Sequence, residues 1–200
     1  MALAEFLIVL ASLFAIIDPL AAVPFFMTLF GKGGDKTKIK KASVEAAAAV
    51  FILLAVFSLF GAAIFTALGI SNTAFLIAGG ILLLILSFDF LQGNLPRSRS
   101  VEKDTSDVVV PIATPLLAGP GAITSSIYFM QTYGPFVTLS SIFLVSIVCF
   151  LFLFFSYGIS KALGKNGLKV FSRIMGIITA AIAISLIEKA LVIYGVIKVV

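Results

Sequence analysis

Long apolar runs separated by short polar connectors organise the chain, at about 3–30, 44–68, 73–92, 108–132, 135–160 and 174–197. None alternates with period two, and each is too long for a strand, which argues against a β-barrel. A membrane-spanning helix needs about 20 apolar residues. The pattern therefore predicts an all-α integral membrane protein with six transmembrane helices. The last run is interrupted soonest, its uncharged stretch reaching only from Ile174 to Ile187. The first run carries Glu5, has no basic leader and continues past residue 17, so it reads as a span rather than a signal peptide.

Lysine and arginine are distributed unevenly between the connectors. Lys32, Lys36, Lys38, Lys40 and Lys41 fall in the first, Arg97, Arg99 and Lys103 in the third, and Lys161, Lys165, Lys169 and Arg173 in the fifth. The connectors near Gly69–Asn72 and Tyr133–Pro135 hold none. Twelve of the 14 basic residues thus share one side. The positive-inside rule makes that side cytoplasmic and puts both termini outside. A multi-pass protein of the plasma (inner) membrane is the expected setting.

Composition narrows the chemistry. Sixty-one per cent of the 200 residues are hydrophobic and 12% charged, where soluble domains carry about a quarter charged. The net charge of +5 then fits loops facing an anionic leaflet rather than a nucleic-acid partner. There is no histidine, and the single Cys149 lies in an apolar run. No metal site, disulfide or cofactor is expected. Glycine-rich nucleotide fingerprints, GxSxG and HExxH are absent, so the chain does not read as an enzyme.

Two local motifs recur. Asp18-Pro19-Leu20-Ala21-Ala22-Val23-Pro24 lies in the first span, and Thr114-Pro115-Leu116-Leu117-Ala118-Gly119-Pro120 in the fourth, matching in Pro, Leu, Ala and Pro at an offset of 96. Ile77-Ala78-Gly79 and Ile174-Met175-Gly176 match at an offset of 97. The halves 1–92 and 108–200, joined by a cytoplasmic connector at 93–107, therefore read as three-helix repeats. Three is odd, so the second half enters the membrane from the opposite face, an inverted-topology arrangement common in secondary transporters.

Proline inside a helix removes a donor and clashes with the preceding turn. Two prolines five apart, in both the first and fourth spans, predict discontinuous helices 1 and 4, unwound at about Asp18–Pro24 and Thr114–Gly121. Freed peptide groups must then be buried in protein or line a polar cavity. Asp18 lies halfway along its span, where a charge is costly and points to function by default; it can also cap the following helix. Asp89 and Glu45 suit interface pairing. Gly79, Gly80 and Gly176 suit close helix packing, and the phenylalanines of the fifth span suit a lipid-facing surface.

These residues resemble the MarC family of six-helix inner-membrane proteins, which includes the SnatA-type neutral amino acid transporters. The resemblance rests on Asp18-Pro19 with Pro24, on Pro115 through Ile123, on Leu68-Gly69-Ile70-Ser71 leading into Ile77-Ala78-Gly79-Gly80, and on Arg173-Ile174-Met175-Gly176. It implies a transporter of small neutral amino acids such as glycine and alanine, coupled to protons.

The residues suggest how such a site would work. A helix starting at Gly119-Pro120-Gly121 would offer the amides of Gly121, Ala122 and Ile123 to a carboxylate. Pro120 has no N–H to give. Helix ends before Pro19 and Pro115 would offer carbonyls to the ammonium, with Asp18 as countercharge and coupling acid. The candidate substrate site is thus Asp18, Pro19, Ala22, Pro24, Thr114, Pro115, Gly119, Pro120, Gly121, Ala122 and Ile123. Sodium in place of the proton, an amino acid exporter resembling the LysE group, a passive pore and a homo-oligomeric assembly stay open at this point.

Overall fold

The computed structural model describes residues 2–30, 36–92 and 117–196. These residues form six helices and, among them, no strand: α1 (Ala2–Ile17), α2 (Pro19–Phe30), α3 (Lys36–Ala67), α4 (Asn72–Gln92), α5 (Pro120–Phe154) and α6 (Ser156–Ile193). Five stretches are long and apolar enough to cross a membrane: Leu3–Val23, Lys36–Ala67, Thr73–Gln92, Gly121–Phe154 and Asn166–Ile193. The protein is an integral membrane protein of several apolar spans.

The fourth and fifth runs of the sequence meet inside α5, at Gly134. Its φ of 79° and ψ of 172° are not helical, and a positive φ there suits only glycine. Neighbours on either side show that the chain reverses. Before the break, Gly121 abuts Leu83 and Thr124 faces Gly79, antiparallel to α4. After it, the Ser141 hydroxyl points to the Phe6 carbonyl at 3.5 Å and Phe152 meets Phe14 at 6.0 Å, parallel to α1. Helix α6 runs antiparallel both to α4, through Gly80 with Ile187 and Gly176 with Phe90, and to the first span, Leu3–Val23, through Thr179 with Ala15 on α1 and Leu168 with Leu20 and Val23 on α2. The two parts of α5 therefore run in opposite directions. A similar glycine, Gly164 (φ 63°, ψ 179°), interrupts α6.

Several expectations change. The basic residues Lys36 to Lys41 form the first turns of α3, and Lys169 and Arg173 lie on the helical stretch of α6 after Gly164, while Lys161 falls between the spans that end at Phe154 and begin at Asn166. Long basic side chains are good helix formers and can reach past the apolar layer while their stems stay in it. Phe136, Phe143 and Phe155 face outward as expected, but Phe152 turns in against Phe14.

The small residues set helix spacing. A Cβ on Gly79 would overlap the Thr124 side chain. On Gly80 it would stand 2.9 Å from the Ala183 carbonyl oxygen, and on Gly176 3.1 Å from that of Ser87. These glycines let α4 approach α5 and α6 closely, as the sequence suggested. At one end of the bundle Lys189 donates to the Tyr128 hydroxyl at 2.6 Å, and Ser71 lies 3.5 Å from the Tyr194 hydroxyl.

Candidate functional site

Asp18 is the single residue between α1 and α2. Its φ of 41° lies in the left-handed region, which costs an L-residue about 1–2 kcal/mol. Its hydrogen bonds show what holds it there. The Asp18 N–H donates to the Phe14 carbonyl at 3.0 Å, closing the C-terminus of α1. The Ala21 N–H is shared between the Asp18 carbonyl at 3.0 Å and Oδ1 at 3.2 Å, opening α2. One residue is thus the C-terminal cap of one helix and the N-cap of the next. Pro19 takes the first position of α2, where a missing N–H costs nothing.

The break is therefore narrower than the sequence suggested. Pro24 lies within α2, whose helical backbone continues to Phe30. The unwound segment expected over Asp18–Pro24 is a one-residue junction on this side. Pro24 leaves only the Leu20 carbonyl without its helical donor, and transmembrane helices absorb such a loss.

The junction releases backbone groups in a buried setting. Pro19 cannot donate to the Ala15 carbonyl; the Thr179 hydroxyl of α6 donates to it instead, at 3.1 Å. The Ala21 N–H has turned to Asp18, so the Ile17 carbonyl loses its helical donor. Asp18 itself is 1% exposed. Capping accounts for Oδ1, while Oδ2 has no hydrogen-bond partner among the described residues. The Ser172 hydroxyl of α6 and the Leu20 N–H face the same carboxyl, without a bond to Oδ2. Leu20, Val23 and Leu168, with Phe152, Ile159 and Phe171 around them, pack beside the junction.

Of the second motif the structure describes Leu117 onward; Thr114, Pro115 and Leu116 lie outside the described residues. Gly119 is extended (φ −66°, ψ 171°) and half-buried, and α5 starts at Pro120 with no side-chain cap. The Ile123 N–H donates to the Gly119 carbonyl at 3.1 Å. This is the first bond of the helix, so the Ile123 amide is spent and the three-amide cradle expected from sequence is corrected to two. Gly121 and Ala122, both buried, precede that bond and have no intrahelical acceptor. A Cβ on Gly121 would overlap Leu83. Leu117, Ala118 and Ala122 share one buried apolar cluster with Ile16, Ile17 and Ala22, so both motifs border the same core.

Sequence reasoning missed Thr179 and Ser172. With Gly176 and Ala183 they fall at helical spacing on one face of α6, and that pattern of small and hydroxyl residues was the available signal. Among the described residues no group of three metal-ligating side chains occurs.

A helical membrane protein built round a buried acid at a helix junction is the class this architecture defines. Within that class the chain belongs to the MarC family: the family model described as "MarC family integral membrane protein" matches residues 3–194. A UPF0056 membrane protein of Pyrococcus horikoshii is 37% identical over 192 residues, covering 93% of this chain and 94% of that protein. One from Methanocaldococcus jannaschii is 36% identical over 197 residues (94% and 96%), and the Bacillus subtilis UPF0056 membrane protein YvbG 31% over 195 residues (92% of each). No solved structure matches the chain.

Proposed function

We propose that this protein is a secondary transporter of small neutral amino acids, glycine and alanine foremost, working by alternating access and coupled to protons. The observation that carries the reading is the buried Asp18 carboxylate, one oxygen of which is left without a partner at the junction of two helices. An unpaired acid in an apolar core is costly to keep unless it has a task.

A zwitterion suits the groups that border this core. Its ammonium would sit at Asp18 Oδ2 and the Ile17 carbonyl. Its carboxylate would sit on the Gly121 and Ala122 amides, at the positive end of the α5 dipole. The overlap that Leu83 imposes at Gly121 favours a substrate with little or no side chain. Ser172 and Thr179 bring hydroxyls to the same junction from α6. Asp18 would exchange its proton as ligand and solvent alternate around it.

The reading includes two inverted three-helix halves, 1–92 and 108–200, with discontinuous first and fourth helices, the connector 93–107 in the cytoplasm and both termini outside the inner membrane. Reciprocal packing supports it. Gly80 meets Ile187 and Gly176 meets Phe90, and a shift of 97 carries Gly80 to position 177 and Phe90 to position 187. Each contact is the near-mate of the other.

The test is uptake of labelled alanine and glycine into proteoliposomes of the purified protein under an imposed pH gradient. Saturable accumulation that collapses with the gradient is expected. Flux that never exceeds equilibrium would make the protein a pore, and no flux of either amino acid would remove the substrate assignment. Accumulation driven by a sodium gradient alone would replace the proton.

A further inference from the structure

Away from Asp18, a lateral groove of about 310 Å3 opens between α3 and α5. Val44, Ala48 and Phe51 form one wall, and Phe143, Ile147 and Phe150 the other. The rings of Phe51 and Phe143, edge-on at 5.8 Å, join the two walls. Ser146 contributes the one hydroxyl among the lining side chains, and it donates to the Ile142 carbonyl at 2.8 Å. The lining therefore offers hydrocarbon and no free donor, which suits an alkyl chain and no polar ligand.

The groove has a polar end. Lys36, Lys40, Val44, Ala48 and Phe51 recur at helical spacing along one face of α3. Val44 opens the apolar run, and Lys40 precedes it by one turn. At 1.5 Å per residue Lys40 stands roughly 6 Å beyond it, within a headgroup layer about 5–7 Å deep, and Lys36 about 12 Å beyond it, from where its long side chain can reach back to that layer. Both lysines are exposed. Among the described residues of α3 the other charges nearby are Lys38, on a different face, and Lys41, which is paired with Glu45 at 3.8 Å. The face thus presents two cations above a hydrocarbon slot.

We propose that this groove holds one acyl chain of an anionic phospholipid, in the leaflet on the lysine-bearing side, with the lipid phosphate on Lys36 and Lys40. Any lipid tail can lie in the slot. A zwitterionic headgroup brings its own cation and gains less from the two ammonium groups, so headgroup charge decides residence. The site is independent of the transport reading.

The test uses the full chain in a neutral detergent. Phosphatidylglycerol or phosphatidylcholine with identical acyl chains is added, and thermal unfolding is followed. Phosphatidylglycerol is expected to raise the Tm by about 3 °C more than phosphatidylcholine. Lys36→Gln with Lys40→Gln should erase that difference. Ala48→Phe, at an exposed position that fills the slot, should erase the shift from both lipids. Val44→Trp repeats the occlusion from a second exposed position. Native mass spectra should show phosphatidylglycerol retained on the wild type and lost from both occluded variants. Equal shifts from the two lipids in the wild type, or undiminished retention in the occluded variants, would overturn the proposal. So would Ala48→Cys cross-linking two copies in phosphatidylglycerol vesicles, because a second chain would then fill the groove.

Discussion

The hydroxyl of Thr179 donates at 3.1 Å to the carbonyl oxygen of Ala15, the acceptor that Pro19, four residues on, has no N–H to reach. A side chain on α6 repairs the backbone bond that a proline on α2 removes, and ties the junction to the opposite half of the chain.

Thr179→Val keeps the shape and removes that donor, leaving a buried carbonyl unpaired. Interhelical hydrogen bonds in membranes contribute about 0.6–2 kcal/mol, and a loss in that range is expected. Thr179→Ser should restore most of it. Unfolding of the three proteins in detergent, compared at one lipid content, measures the effect. A Thr179→Val protein as stable as wild type would mean that the carbonyl finds another donor.

Asp18 separates capping from coupling. Asp18→Asn retains a capping oxygen but cannot titrate, so folding and weak substrate binding should persist while the pH dependence of alanine accumulation flattens. Asp18→Leu removes the cap as well, at a cost of about 0.5–2 kcal/mol, and should abolish binding. Accumulation against external pH, at matched protein content, distinguishes the two roles. Superimposable curves for wild type and Asp18→Asn would leave Asp18 as a cap alone.

Glycine substitutions should have opposite signs at two positions. Gly80→Ala forces a methyl to 2.9 Å from the Ala183 carbonyl oxygen, and overpacking of this kind costs about 1–3 kcal/mol. Gly158 lies in a helix with nothing within 4 Å of an added Cβ. Gly158→Ala should therefore stabilise by about 0.5–1 kcal/mol. Thermal unfolding of both variants checks the pair, and a destabilised Gly158→Ala protein would show that this segment has neighbours the isolated chain lacks.

Sidedness can be read by cysteine labelling, because Cys149 is fully buried and should stay silent. A membrane-impermeant maleimide added to intact cells should label Ile70→Cys and leave Lys38→Cys unlabelled until the membrane is opened. The reverse pattern would invert the topology inferred from charge.

The spans were legible because burial in lipid leaves a length and composition signal that few other structures produce. Asp18-Pro19 was legible for a related reason: an acid and an imino acid together in the middle of an apolar run conflict with a continuous helix. Where the helices begin was not. Apolar runs mark the hydrocarbon layer, whereas the helical backbone of α3 continues out to Lys36 and that of α6 carries Lys169 and Arg173. Pro24 looked like a second break but sits inside α2, since one missing donor is tolerated where the helix is otherwise packed. Thr179 and Ser172 carried little signal. Several buried hydroxyls here, such as Ser43 and Ser146, bond the carbonyl one turn back in their own helix. Sequence alone does not say which hydroxyl instead reaches a neighbour.

Because Asp18 closes α1 with its backbone N–H and opens α2 with its carbonyl and Oδ1, the two rods share a single pivot. Any change in the angle between them passes through the φ and ψ of that residue, and any rotation there turns its carboxylate. Posture and chemistry at this point are linked: a ligand that captured the loose oxygen would bear on the tilt of the rods, and a tilt imposed from outside would move that oxygen.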